Sequence, residues 1–438
     1  MKKYFGTDGI RGRYGEGINE EVAFLLGAAL GKHFSGVCVV GRDTRVSGSS
    51  LLRAFSEGLS FSNSVMLDIG VIPTPAVSLM VKEWGAGCGV MITASHNSPE
   101  YNGLKVFGKE GLKLSQEEES EIEQMMERFR EGKLLSAYCP LHTRSKGESF
   151  RFDVAKKARR IYIKELSGLL NGERLDGLKI LLDAGNGAAG TIAREVFKRL
   201  GAKVFSINDA GDGAGINVDC GSENIHGLVC KMEGFDLGFG FDGDADRVAV
   251  VYDNRVMDGN SVLWSLARGR GLKDGAVVGT VMSNSVLERK LTEDGRRFIR
   301  TAVGDRYILE EMIKNGYSLG GEESGHYIFY PERKTGDGIL TALKVCLVFL
   351  RGELEFLELL PQKTVSLESG GGVLEDERMQ ELTERVKKSG RVQSLLVRMS
   401  GTEPKIRISV EAEERSEVDE VIGEFAALVE IINAGHSK

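Results

Sequence analysis

Val37-Cys38-Val39-Val40-Gly41-Arg42-Asp43-Thr44-Arg45 is a short apolar run that breaks into a glycine and a charged loop. Four apolar residues in succession fit a strand buried on both faces, and the residues after them fit its exit turn. Helical patterns flank it at Glu21 to Lys32 and Ser49 to Leu59, and further strands are predicted at Ser64 to Ile69 and Cys88 to Ile92. Strands and helices alternating at this spacing predict βαβ units on a sheet covered from both sides. Ile122, Met125, Met126 and Phe129 then recur at i, i+3, i+4 and i+7, the stripe of an amphipathic helix.

The rhythm restarts near Arg159, with strands predicted at Leu178 to Leu182, Lys203 to Ile207 and Leu237 to Phe241. A third run has strands at Ala276 to Met282 and Tyr317 to Gly320 and a helix at Thr341 to Leu350. The last stretch differs. After the glycine-rich Ser369-Gly370-Gly371-Gly372 come strands at Leu395 to Met399 and Ile406 to Val410, then a helix with Val418, Val421, Ile422 and Phe425 on one face. The predicted fold class is α/β: three similar domains with mixed or parallel sheets, plus a smaller C-terminal α+β domain, around a central cleft. The expected boundaries are 1–150, 151–253, 254–365 and 366–438.

A chain of 438 residues exceeds one ordinary core. Its net charge of −7 argues against a nucleic-acid or anionic-membrane partner. The six cysteines form no C-x-x-C pair, and no apolar run reaches the roughly 18 residues that span a bilayer. Reduced thiols and a cytoplasmic location are therefore expected. Glycine makes up 57 of 438 residues, about twice the usual share of roughly 7%. Phosphate-handling loops would account for that excess.

Four loops carry candidate chemistry. Asp242, Asp244 and Asp246 alternate with Gly243 and Ala245, which on an extended segment puts three carboxylates on one face. Three hard oxygen ligands with open positions suit Mg²⁺. An EF-hand would need glycine and glutamate where Arg247 and Asp253 stand. Arg247 suits a phosphate oxygen beside the metal. Ser95 ends the third strand; as adjacent strand residues face opposite ways, His96 is poorly placed to be its base. Asn97, Asn102, Gly103 and Lys105 follow as a polar loop bearing a cation. Arg398-Met399-Ser400-Gly401-Thr402-Glu403-Pro404, with Arg407 beyond, offers hydroxyls, amides and guanidinium groups to an anion. Gly320-Gly321-Glu322-Glu323-Ser324-Gly325-His326 offers carboxylates and a hydroxyl to a sugar.

A fifth segment, Gly185-Asn186-Gly187-Ala188-Ala189-Gly190 with Asp209 downstream, reads literally as a dinucleotide fingerprint and supports an NAD(P)-dehydrogenase alternative. It stands alone, without a hydride-transfer site, and is read as a tight strand-to-helix turn.

In order and across nearly the full length, the four loops resemble the α-D-phosphohexomutase family, closest to its bacterial hexosamine-phosphate branch. Tyr4-Phe5-Gly6-Thr7-Asp8-Gly9-Ile10-Arg11-Gly12 looks like that branch's opening, and Val303-Gly304-Asp305-Arg306-Tyr307 and Thr335-Gly336-Asp337-Gly338 also match. The resemblance implies a phosphoserine at Ser95, with one Mg²⁺ held by Asp242, Asp244, Asp246 and the phosphoserine itself. Glu322 and Ser324 would receive sugar hydroxyls, while Arg398, Ser400, Gly401 and Thr402 hold the unreacting phosphate. Arg11 and Lys105 would assist at the phosphoserine, with His96, Arg247, His326 and Arg407 supporting the cleft.

The implied reaction interconverts glucosamine 6-phosphate and glucosamine 1-phosphate through a sugar bisphosphate, for amino-sugar nucleotide synthesis. The partner is a small phosphosugar, and a homodimer is compatible with the family. Phosphoglucomutase/phosphomannomutase activity is the same-family alternative; a binding-only descendant of the fold is a third reading. Two departures stand out. Ser98 replaces the usual proline after Ser-His-Asn, and Glu323 stands where the hexosamine branch typically carries glutamine. A carboxylate at 323 could pair with a protonated 2-amino group.

Overall fold

The computed structural model describes residues 3–6, 8–62, 64–132, 148–269, 272, 275–369, 372–399 and 405–436. Gly370 and Gly371 of the glycine-rich run, and Ser400, Gly401 and Thr402, lie outside the described residues.

Four sheets follow one another along the chain. The first contains β1 (Ile10–Arg13), β2 (Val37–Arg42), β3 (Val65–Val71), β4 (Cys88–Ile92) and β5 (Tyr101–Phe107), in the order β1-β5-β4-β2-β3. The second has β6 (Lys179–Asp183), β7 (Lys203–Ile207), β8 (Leu237–Phe241), β9 (Val248–Tyr252) and β10 (Arg255–Met257), ordered β10-β9-β8-β6-β7. The third is β12-β11-β13-β14, from β11 (Ala276–Thr280), β12 (Arg297–Thr301), β13 (Leu319–Gly321) and β14 (Tyr327–Phe329). The fourth is antiparallel, β15-β17-β16, from β15 (Gln362–Glu368), β16 (Ser394–Met399) and β17 (Lys405–Glu411).

The first three sheets share one plan. In each, one strand (β2, β6 or β11) pairs in parallel with the next two, and the second of those turns back on an antiparallel fourth (β5, β9 or β14). The hairpins β4–β5, β8–β9 and β13–β14 are therefore equivalent positions in three units. Each opens at the carboxyl end of a parallel strand, where α/β folds leave room for ligands.

This corrects one expectation. The segment after Ser95 is not only a polar loop: Tyr101–Phe107 is strand β5, with Lys105 opposite Met91. Asn102 and Lys105 are buried there, so polar partners rather than apolarity seat them in the sheet. Apolar alternation could not reveal such a strand.

One apolar core runs through all three units. It joins Val39, Val77 and Met91 of the first to Tyr162, Leu166 and Ile180 of the second and Val277, Leu319 and Leu340 of the third. The helix Glu148–Gly168 packs on β3 and contributes Tyr162 and Leu166. The C-terminal domain has its own core around Ile406, Ile408, Val421 and Phe425. It is tied to the third unit by polar contacts: Ser285 donates to Glu411, and Gln362 Nε2 donates to the Met282 carbonyl at 3.0 Å. Two cores joined by a polar hinge favour rigid-body motion of one against the other. Among the described residues no helix is long and apolar enough to cross a membrane.

Candidate active site

The three equivalent hairpins meet. Ser95 follows β4, the acidic loop joins β8 to β9, and Glu322–His326 joins β13 to β14. Ser95 Oγ donates to Asp242 Oδ2 at 2.6 Å, and Asp246 Oδ1 lies 3.7 Å from His326 Nδ1.

Ser95 is buried and held in the left-handed region at φ 54°. That conformation is costly for a residue with a side chain, so its surroundings must impose it. Arg45 does much of this. Its fully buried guanidinium is paired with Asp43 at 3.0 Å and donates to the carbonyls of Ser95 (3.0 Å), Asn97 (2.6 Å), Tyr101 (2.9 Å) and Ser98. From the second unit, Asn217 Nδ2 donates to the Ser95 and Asn97 carbonyls at 2.8 and 2.9 Å. The turn also brings His96 Nδ1 to 3.4 Å from Ser95 Oγ. The opposite-face expectation for His96 thus fails, because the two residues lie beyond the strand rather than in it. Burial, with Arg247 and Arg11 nearby, pushes His96 down to about 4, so it is neutral at pH 7.

The acidic loop converges by turning, not by extended alternation; Ala245 takes φ 55°. One oxygen from each of Asp242, Asp244 and Asp246 lies within 4.8 Å of the others. Packing permits this approach only through glycines. A Cβ on Gly243 would fall 2.7 Å from the Ser95 carbonyl, and one on Gly187 would fall 2.4 Å from the Gly243 carbonyl. The Gly185–Gly190 run is accordingly the tight turn on which the acidic loop rests, and Asp209 pairs with Arg194 at 2.9 Å.

Burial and mutual repulsion from Asp246 and Asp244 raise Asp242 well above the usual carboxylate range. Burial would raise Asp246 too, but Lys105 and His326 hold it well below that range. Lys105 Nζ lies 2.8 Å from Asp244 and 2.5 Å from Asp246; these partners outweigh burial and raise its pKa. Among the described residues, Asp244 Oδ1 and Asp246 Oδ1 are buried with no donor within hydrogen-bond distance. Buried carboxylate oxygens demand a partner. Three converging carboxylates, two with orphaned oxygens, fit a divalent cation. Mg²⁺ at a hundredfold excess over its Kd should stabilise the protein by about 2.7 kcal/mol. Calorimetry should show that rise in Tm for the native chain and not for Asp244→Asn.

Around this centre, Arg11 on β1 is ion-paired with Asp8, and Arg247 donates its amide to Asp242 Oδ1 at 3.1 Å while its side chain pairs with Glu223 at 3.3 Å. Glu322 accepts from the Gly304 amide at 3.2 Å, and burial raises its pKa. Ser324 is exposed at the hairpin tip. Burial opposes the His326 charge, but Asp246 and Asp305 raise it to about 10. The Gly336 amide, 3.0 Å from Nε2, favours the neutral ring; two carboxylates outweigh one amide dipole. Glu323 turns its backbone onto Gly259; burial, then Asp258 and Glu323, hold the Tyr327 phenol well above its usual range.

Arg398 and Arg407 face each other across β16 and β17. Burial and then Arg407 lower the Arg398 pKa, and Arg407 Nε is buried without a partner among the described residues. Two opposed guanidinium groups on neighbouring strands invite an anion. Among the described residues no hydrogen bond or ion pair joins them to the Ser95 or Glu322 loops.

Sequence reasoning missed several contributors. In the sequence Asp8 and Asp305 stand only within matching flanks and Arg45 only at a strand exit, while Lys113, Asn217 and Thr74 belong to no motif. Thr74 donates both its hydroxyl and its amide to Asp244. None carries a local signal, because each acts through a partner 50 or more positions away.

Four family descriptions match the chain in order: "Phosphoglucomutase/phosphomannomutase, alpha/beta/alpha" domain I at residues 2–133, domain II at 160–255 and domain III at 258–364, and the C-terminal domain at 361–428. Phosphoglucosamine mutase of Thermotoga maritima is 41% identical over 441 residues, covering 98% of this chain and 99% of its own. That of Thermoanaerobacter sp. is 40% identical over 456 residues, covering 98% and 99%. Among solved structures, a phosphoglucomutase/phosphomannomutase family protein from Burkholderia thailandensis superposes with TM-score 0.76 at 22% identity, covering 98% and 97%. Aspergillus fumigatus N-acetylphosphoglucosamine mutase, in complex with GlcNAc-6P and magnesium, gives 0.63 at 16%, covering 98% and 96%. Three units of one plan, a fourth domain on a polar hinge, and ordered matches along nearly the whole length lead to one conclusion: the chain belongs to the phosphoglucomutase/phosphomannomutase family, the α-D-phosphohexomutases.

Proposed function

We propose that this chain interconverts glucosamine 6-phosphate and glucosamine 1-phosphate through a phosphoserine at Ser95. The observation that carries the reaction type is the 2.6 Å contact from a serine hydroxyl to a buried triad of carboxylates. The choice of sugar is supported by relatives 40–41% identical over 98% of this chain that carry the name phosphoglucosamine mutase.

Ser95 carries the phosphoryl group into the cleft. A free sugar hydroxyl attacks phosphorus, the new P–O bond forms, the bond to Ser95 Oγ breaks, and the proton lost from the sugar is balanced by the one restoring the serine hydroxyl. The resulting bisphosphate turns over, and its other phosphate returns to Ser95. Asp242, Asp244, Asp246 and a phosphoserine oxygen would hold Mg²⁺, which neutralises charge on the phosphoryl oxygens. Lys105 adds a fixed cation beside that loop, and Arg11 lies on the adjacent strand for the same end of the substrate. Neutral His96 sits by the serine oxygen, and Arg247 beside the acidic loop. Glu322 and Ser324 receive sugar hydroxyls, with His326 orienting that hairpin from behind.

Arg398, Ser400, Gly401, Thr402 and Arg407 clamp the phosphate that is not reacting. Because that clamp sits on a domain with its own core, hinge opening gives the bisphosphate room to turn. On this reading the compartment is the cytoplasm, in keeping with five described cysteines that are all free thiols.

Assays on glucosamine, glucose and mannose 6-phosphates side by side test the proposal. Preference for the amino sugar is expected; a strong preference for a neutral sugar overturns the substrate assignment. Arg398→Ala should weaken substrate binding by about 1.5–3 kcal/mol, the scale of a charge-assisted hydrogen bond, and raise KM accordingly. Unchanged KM with normal turnover refutes the clamp.

A further inference from the structure

Lys113 belongs to no motif, yet it closes a ring. Starting at Asp246, a metal-loop carboxylate, Lys105 follows at 2.5 Å and Asp8 at 3.3 Å from Lys105. Lys113 lies 2.5 Å from Asp8 and 2.6 Å from Asp305. Asp305 lies 3.3 Å from His326 Nε2, and His326 Nδ1 returns to Asp246 at 3.7 Å. Three carboxylates alternate with three basic side chains. Asp8, Lys105 and Lys113 come from the first unit, Asp246 from the second, and Asp305 and His326 from the third. The Lys113 side chain is only 12% exposed, so solvent screens its pairs weakly.

In a closed alternating ring every member is compensated from two sides, and removing one redistributes the rest. Without the Lys113 cation, Asp8 draws harder on Lys105 and Asp305 draws harder on His326. Both are the groups that otherwise hold Asp246. The disturbance therefore reaches the acidic loop from two directions, through Lys105 on one side and the sugar-loop histidine on the other.

We propose that Lys113 is a positioning residue that couples the seating of the third unit's sugar hairpin to the aim of Lys105 at the phosphoserine. This rests on the mutase reading for its catalytic consequence, but its structural part stands apart from that reading. The position is well braced: Lys113 bridges to Phe107, and Ser78 Oγ donates to the Gly111 carbonyl at 2.6 Å. Lys113→Met removes the charge while keeping the bulk of the stem.

Two measurements test it. In kinetics, Lys113→Met should lower kcat on the order of 10- to 100-fold with a change in KM of about threefold or less, and Lys113→Arg should stay close to the native rate. The charge-balanced pair Lys113→Met/Asp305→Asn should be faster than Lys113→Met alone, since one cation and one carboxylate leave together. Loss equal to the product of the two single losses overturns the proposal, as does a native kcat in Lys113→Met.

Hydrogen exchange on the resting protein needs no turnover. Lys113→Met should speed exchange across residues 303–307 and 321–326 of the third unit. Where that variant does not accumulate, Asp305→Asn should speed exchange across 109–114 of the first, because coupling is reciprocal. Unchanged exchange in the opposite unit overturns the coupling. A native chain without mutase activity would instead overturn the mutase reading, while the exchange result still decides the ring.

Discussion

Ser95→Ala should leave a folded protein with no measurable mutase turnover. The lost atom is the one that would carry the phosphoryl group, and the groups beside it, His96 Nδ1 at 3.4 Å and Asp242 Oδ2 at 2.6 Å, do not stand in its position. The expected fall in kcat is at least about 10⁴-fold, as for loss of any covalent nucleophile. The structural cost is small. The hydrogen bond to Asp242 Oδ2 disappears, costing about 1–3 kcal/mol, while the Arg247 amide still donates to Oδ1 at 3.1 Å. Alanine is also poorly suited to φ 54°, though no worse than serine. Coupled assay and thermal melting check both halves. Native turnover in the variant would end the phosphoserine route, and mass spectrometry of the native chain should find its phosphate on Ser95.

Lys105→Met should be damaging twice over. Lys105 is buried and compensates Asp244, Asp246 and Asp8 at 2.8, 2.5 and 3.3 Å. Removing one partner of a buried ion pair costs about 3–5 kcal/mol, because the remaining charge stays buried without compensation. Turnover should fall on the order of 10²–10³-fold, as when one fixed electrostatic donor leaves a reaction site. The two losses should separate with Mg²⁺. A divalent cation on the triad neutralises what the lysine no longer does, so saturating Mg²⁺ should stabilise the variant more than the native protein. It should not restore turnover, since a metal on the triad would supply no N–H donor in place of the Lys105 ammonium group. Denaturant melts with and without Mg²⁺ decide the first point; a variant with native stability in the absence of metal would contradict the buried-network account.

The periodicity around Val37–Val40 and its two later recurrences sufficed for three α/β units, because strands buried on both faces leave unbroken apolar runs. Tyr101–Phe107 escaped because its buried Asn102 and Lys105 are satisfied by residues far away in sequence. The three aspartates and Ser95 were legible as chemistry because their types and spacing are unusual for a core. Their arrangement was not: the carboxylates meet through a turn with Ala245 in the left-handed region, and His96 approaches Ser95 because that serine has left the strand. Asp8, Lys113 and Asp305 were invisible as site residues, since a single charged residue in a loop is ordinary until its partners are known.

By itself, then, the amino-acid order determined the repeated α/β plan, the separate C-terminal domain and the identity of the hydroxyl and the carboxylates, all consequences of local pattern and residue chemistry. Only the tertiary structure decided that Ser95 touches Asp242, that Arg45 and Asn217 hold the serine's carbonyl, and that six acidic and basic side chains from three units close into one ring. The reason is physical: burial and electrostatic compensation act through space at a few ångströms, and the partners here are separated by up to about 200 positions of chain that no periodicity spans.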